Sequence, residues 1–161
     1  MTSLNMDTNY SEITTGINQV ITIWERKLST LSNETISTKL NKQNRTIKQI
    51  LGHLIDSASN NHQRMIRLQY NLELIFPDYR QDNDRWIGIQ NYQEANWANI
   101  VQLWKSFNFQ IIQVIENVDK SKLQNFWHDF EGTRVTLDEM IVGYLWHVNL
   151  HMNEIQELID K

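Results

Sequence analysis

The fold is decided by the stretch TLDEMIVGYLWHVNLHMNEI, Thr136 to Ile155. Thr136 followed three positions later by Glu139 is a capping box, in which hydroxyl and carboxylate answer each other's backbone N–H groups at a helix start. Beyond it Met140, Ile141, Tyr144, Leu145, Val148, Met152, Ile155 and Leu158 recur at three- and four-residue steps. That spacing predicts an amphipathic helix over Leu137–Ile159. His147 and His151 lie on it four residues apart. A helix advances about 100° per residue, so the two imidazoles share a face beside the apolar stripe.

Working outward, three more segments carry the same period. The first runs from Ser11, a candidate N-cap, to Leu31, with Ile13, Ile17, Val20, Ile21, Trp24 and Leu28 on its stripe. The second spans Arg45–Ile75, through Ile47, Ile50, Leu51, Leu54, Ala58, Met65, Leu68 and Leu72. The third spans Gln93–Val118, through Trp97, Ile100, Trp104, Phe107, Ile111 and Ile115. One proline and five glycines suit long unbroken helices. The reading is all-α: a single four-helix bundle over residues 1–161, with a long loop, Phe76 to Tyr92, between the second and third helices. Asp119 to Thr136 carries turn chemistry at Glu131-Gly132 with β-formers on both sides, which allows a small hairpin.

Composition narrows function. A net charge of −4, with no basic cluster beyond Arg26-Lys27 and Lys120 to Lys122, argues against nucleic acid. No apolar run approaches the ~20 residues of a membrane span. MTSLNMDTNY has neither the basic nor the apolar region of a signal peptide, so a soluble cytoplasmic protein is expected. The absence of cysteine removes disulfides, thiolate nucleophiles and sulfur-ligated zinc.

Two imidazoles at i, i+4 can hold one metal ion, as in the HExxH helix. The glutamate of that motif is missing between His147 and His151, so the metalloprotease reading fails. His53 on the second helix lies at the edge of its apolar stripe, with Ser57, Asn60 and Arg64 continuing the same edge. If the second and fourth helices pack together, three imidazoles meet. They would cap one face of a divalent metal and leave the other open to water or a small-molecule substrate. Structural histidines remain the alternative.

The chain resembles the DinB/YfiT-like family of metal-dependent proteins. The matching stretches are TIKQILGHLIDSASNNHQR (Thr46 to Arg64), TLDEMIVGYLWHVNLHMNEI, the FPDY segment and QNYQEANWANIVQLW. The resemblance implies a four-helix bundle, a homodimer, and His53, His147 and His151 as ligands of zinc, nickel, iron or manganese. It further implies a transferase or isomerase using a low-molecular-weight thiol such as bacillithiol or mycothiol. Metal-dependent hydrolysis is the second reading, and a non-catalytic ligand- or partner-binding bundle the third. No catalytic base stands out.

Ser57, Asn60, Arg64 and Tyr144 are expected to line the pocket. Arg64 would anchor an anionic group or make a surface ion pair. Glu154 reads as an exposed glutamate, with orientation of an imidazole as its alternative role. His128, in FWHDFEG, reads as a loop or capping residue with a site-adjacent role as its alternative. His62 and Asp56 face away from the site, and Trp86 could cover a pocket mouth.

Overall fold

Two capping boxes begin the helices that bear the three histidines. Thr46 Oγ1 accepts from the Gln49 N–H at 3.3 Å while Gln49 Oε1 accepts from the Thr46 N–H at 2.9 Å. Thr136 and Glu139 repeat the exchange at 3.1 and 2.8 Å. Each box satisfies donors that a helix start otherwise leaves unanswered. The computed structural model describes residues 9–75 and 81–161. MTSLNMDT and FPDY lie outside the described residues.

The long helices are α1 (Ser11–Ser29), α3 (Ile47–Arg67), α5 (Trp97–Glu116) and α6 (Leu137–Ile159). Two short ones, α2 (Asn33–Thr38) and α4 (Asn83–Gln90), lie in connections. Helix α3 packs on α5 and α6, and α1 packs on the same two. The core between them includes Ile17, Leu28, Leu51, Trp104, Ile111 and Ile155, all 0 % exposed. Trp97 Nε1 donates to Leu28 O at 2.9 Å and ties α5 to α1. Among the described residues no helix is long and apolar enough to cross a membrane.

The fourth helix has its expected bounds, and the hairpin is present. Strands β2 (Phe126–His128) and β3 (Arg134–Thr136) pair antiparallel, with Trp127 opposite Val135. Asp129 Oδ1 accepts from the N–H groups of Glu131 and Thr133, and Gly132 takes φ +83° in the turn. A third strand, β1 (Glu73–Leu74), joins β2 in parallel.

That strand corrects the expected second helix, which stops at Arg67 instead of Ile75. Asn125 Nδ2 takes the Leu68 carbonyl at 2.5 Å, and Leu72 O accepts from Phe126 N at 3.0 Å, pulling the chain into the sheet. Leu72 continues the helical period but is 72 % exposed, so it has no core partner to extend the helix. Ser11 is likewise the first helical residue and not the cap. The cap position is Tyr10, whose hydroxyl donates to Asp138 Oδ1 at 2.5 Å and fastens the start of α1 to α6. Helix α5 starts at Trp97, four residues later than expected, because Asn96 Oδ1 accepts from Asn99 N.

The expected loop over Phe76 to Tyr92 contains α4. Asp82 Oδ1 caps it by accepting from Arg85 N at 3.2 Å, and Asn91 ends it in the left-handed region at φ +49°. Helix α4 packs on α3 through Asp56, whose Oδ1 accepts from Gln90 Nε2 at 2.6 Å and from Tyr92 Oη at 2.7 Å. Gly52 makes this approach feasible: a Cβ there would lie 2.2 Å from Tyr92 Cδ2. Gly52→Ala should therefore push Tyr92 off the helix and cost about 1–3 kcal/mol, as overpacking does. Urea denaturation would measure this, and an unchanged midpoint would refute the packing account.

Candidate metal centre and its cavity

The contact of α3 with α6 brings His53 against the two histidines of α6, with His151 the ring nearest to both others. Ring centroids are 4.7 Å apart for His53 and His151, 4.8 Å for His147 and His151, and 5.9 Å for His53 and His147. One nitrogen from each ring lies within 4.8 Å of the others. His53 and His151 are buried, and His147 is partly so.

Burial keeps two of the rings, His53 and His147, uncharged. Burial pushes His53 down to about 3 from 6.5, with His151, His147 and Arg45 lowering it further. Burial, then His151, pushes His147 down to about 4, against an opposing pull from Glu154. Both are neutral near pH 7, so each offers a lone pair. His151 Nδ1 donates to Glu154 Oε2 at 2.9 Å. That bond occupies Nδ1 and orients the ring, leaving Nε2 as the nitrogen free to meet a metal.

The donor set fits a divalent cation. Three imidazole ligands suit zinc, nickel or iron. Nδ1 of His53 is buried without a hydrogen-bond partner, a cost that native structures seldom leave standing. At metal–nitrogen bonds of about 2.0–2.1 Å two ligands lie no more than ~4 Å apart, so small side-chain rotations must draw the nitrogens together.

Beside the imidazoles opens a cavity of about 790 Å³. Its inner wall holds His53, Arg64 and Trp127, all buried. Its mouth holds Arg45, Asp82, Asp84 and Asp129, with Gln81, Asn83 and Phe130 completing the lining.

Residues 18–155 match the family model described as the DinB superfamily. The chain belongs to the DinB superfamily. A protein of Halalkalibacterium halodurans named a "putative metal-dependent hydrolase" is 24% identical over 162 residues, covering 88% of this chain and 87% of its own. Among solved structures, YfiT from Bacillus subtilis superposes with a TM-score of 0.82 at 16% identity, covering 98% of this chain and 89% of that one. It is described as a "probable metal-dependent hydrolase with an unusual four-helix bundle topology". A mycothiol-dependent maleylpyruvate isomerase superposes with a TM-score of 0.73 at 15% identity, covering 96% of this chain and 63% of that one.

Within this DinB-superfamily bundle the other candidate residues separate. Arg64 lines the cavity, and its guanidinium carbon lies 4.0 Å from the centre of the Trp127 ring. It is 7 % exposed, so it is buried in the cavity wall and does not extend over the surface. Ser57 is buried but does not line the cavity; its hydroxyl accepts from Asn61 Nδ2 at 3.2 Å. Asn60 acts one step removed, donating from Nδ2 to Oε1 of the lining residue Gln81 at 2.6 Å. Tyr144 faces the core, where its hydroxyl donates to Asn108 Oδ1 at 3.0 Å.

Two expectations change. Glu154 is not an exposed glutamate: its side chain is 27 % exposed and holds His151. His128 lies outside the cavity, with Nδ1 3.4 Å from Glu73 Oε1. Strand alternation is the reason, since Trp127 faces the bundle and its neighbours face the other way. Trp86 sits half-buried on α4 and does not line the cavity; Trp127 does. Arg45, Asp82, Asp84 and Asp129 were not singled out by sequence, and only their helix-start and turn positions could have signalled them.

The buried imidazoles tie stability to pH. Their folded pKa values lie below the unfolded value of 6.5, so between about pH 6.5 and 4 the unfolded chain binds more protons. Stability is present above pH 6.5 and is lost as pH falls through that window. Metal-free protein should show its melting temperature dropping from pH 7 to 4.5 more steeply than a His53→Asn variant. Parallel curves would rule out the buried neutral imidazole as the cause.

Proposed function

We propose that this protein is a divalent-metal-dependent hydrolase of a small molecule, with His53, His147 and His151 as the metal ligands. The observation that carries this is three inward-facing imidazoles, two of them held neutral by burial, beside a cavity large enough for a substrate. The names of the Halalkalibacterium and Bacillus relatives support the same reaction class. A bound ion would supply Lewis acidity there and lower the pKa of a coordinated water toward neutrality.

The chain's own residues supply the rest. Glu154 orients the His151 ring. Trp127 closes the inner wall against solvent. The carboxylates that line the cavity are Asp82, Asp84 and Asp129 at its mouth, of which Asp84 is paired with Arg45. Glu154 is engaged with His151, and His128 lies outside the cavity.

A thiol-dependent transferase is the second reading. What favours it is the combination of a chain without cysteine and a cationic side chain, Arg64, inside the cavity. The likeness to the mycothiol-dependent isomerase is one of fold.

Elemental analysis of protein purified without chelator or histidine tag tests the ligand set. Near-stoichiometric zinc, nickel, iron or manganese is expected, and it should vanish in His147→Ala. No metal in the wild type, and none retained after incubation with these ions, would sink the metal reading. Adding thiols to cobalt-substituted protein separates the two chemistries: a thiolate-to-cobalt charge-transfer band supports the transferase, and its absence supports the hydrolase. Glu154→Gln should keep the fold yet weaken metal affinity about 10–100-fold, the usual cost of losing a group that orients a ligand. Competition with a fluorescent chelator would measure it, and unchanged affinity would remove Glu154 from the site.

A further inference from the structure

Among the described residues, buried side-chain nitrogens without a hydrogen-bond partner gather at the cavity beside the histidines. His53, Gln81 and Trp127 all line it, and each contributes one: Nδ1, Nε2 and Nε1 respectively. Native structures seldom leave such groups unanswered, so several in the wall of one cavity point to an occupant. The proposed ion answers His53. It does not answer the other two.

Gln81 and Trp127 stand away from the imidazoles. Asn60 Nδ2 donates to Gln81 Oε1 at 2.6 Å, which holds that residue against α3. Trp127, 8 % exposed, lies over α3 at Arg64, whose guanidinium carbon is 4.0 Å from the ring centre. Asn60 and Arg64 follow His53 by seven and eleven residues on the helix, about 10 and 16 Å along its axis. Arg64 has a partner besides the Trp127 ring. The amide N–H of Gln81 and the indole N–H of Trp127 have none, and both are uncharged.

The carboxylates of the cavity do not answer these donors, because each serves the fold at the mouth. Asp84 accepts from Arg45 Nη2 at 2.8 Å. Asp82 caps α4 and Asp129 shapes the hairpin turn. Nor can Gln81 turn its amide toward another acceptor without giving up the bond that Asn60 makes to Oε1.

We infer that the substrate is an elongated small molecule with an uncharged carbonyl oxygen, as in an amide or ester, that accepts from Gln81 Nε2 and Trp127 Nε1 while its reacting bond lies at the three histidines. A carbonyl oxygen has two lone pairs and can take both donors. A carboxylate fits worse. It would surrender its hydration for two neutral donors and enter past the carboxylates of the mouth. The inference rests on the proposed hydrolase only for where the reacting bond lies; the carbonyl seat needs no metal.

Hexanamide is the probe, with hexanoate as its charged counterpart and hexylamine as one without the oxygen. Nitrogen–proton NMR of the purified protein reads the Trp127 indole directly. The chain has six tryptophans, and Trp127→Phe, which keeps a ring over Arg64, identifies the signal by removing it. Hexanamide should move that signal downfield and saturably, and hexylamine should leave it in place. In calorimetric titration hexanamide should bind several-fold tighter than hexanoate. Trp127→Phe should weaken hexanamide about three- to tenfold, the worth of one hydrogen bond. Gln81→Glu, which keeps the oxygen that Asn60 holds, should do the same. His147→Ala should leave both hexanamide binding and the indole shift intact.

An indole signal that hexanamide does not move, or hexanoate that binds as tightly as hexanamide, would overturn the inference. So would hexanamide binding that survives Trp127→Phe and Gln81→Glu but is lost in His147→Ala, since that places the carbonyl on the metal. Protein that carries no metal yet holds hexanamide at Trp127 would keep the seat and remove the hydrolase.

Discussion

The structure depends on one constraint: three imidazoles, two buried and one partly so, meet where α3 packs on α6. Desolvation keeps His53 and His147 uncharged, and the neighbouring His151 lowers both further. This requires the two helices to meet in a fixed register, because a shift of one residue turns a side chain by about 100°. The capping boxes at Thr46 and Thr136 fix where each helix begins. Tyr10 and Asp138, at the start of α6, and Tyr144 and Asn108, within its core face, then fasten α6 to its neighbours.

The small sheet supplies the other wall. Its parallel β1–β2 pairing stops α3 early and turns the chain beside the bundle. Alternation along β2 then sends Trp127 inward onto Arg64 and leaves His128 outward beside Glu73. A buried indole beside a guanidinium both excludes water and holds a charge whose burial would otherwise be costly. The cavity thus lies where helical and strand geometry join.

Much of the bundle was legible because its apolar stripes repeat over twenty or so residues, and Leu137–Ile159 could be bounded from its cap at one end and its apolar period at the other. The shared face of His147 and His151 followed from helical geometry. That His53 joins them did not, since spacing along a chain says nothing about which helices touch; the family resemblance supplied it. Leu72 misled because period alone cannot tell a residue that will be buried from one that will not. Glu154 was read as exposed because glutamate usually is, and a bond to a residue three positions away leaves no distinct pattern. Helix α4 was missed because its short run, NDRWIGIQ, offers little amphipathic signal; only Asp82 and Asn91 mark its ends.

The elements that were hardest to read are those that convert a helix edge into a site. On α3 the apolar stripe of Ile47, Ile50, Leu51, Leu54 and Met65 needs only the bundle to bury it. The adjoining residues His53, Asp56, Asn60 and Arg64 are also buried, and the bundle alone offers them few polar partners. Helix α4 and the residue that follows its cap answer Asp56 through Gln90 and Tyr92. Gln81 answers Asn60, and Trp127 covers Arg64. Burial also raises the pKa of Asp56, even though both hydrogen bonds favour its charged form. Without these short pieces the polar edge would face water and be hydrated like any helix surface. Covered by them, the same residues sit in low dielectric, where a donor or a cation discriminates more strongly between ligands. The function of the molecule therefore resides less in the four long helices than in what is laid across them.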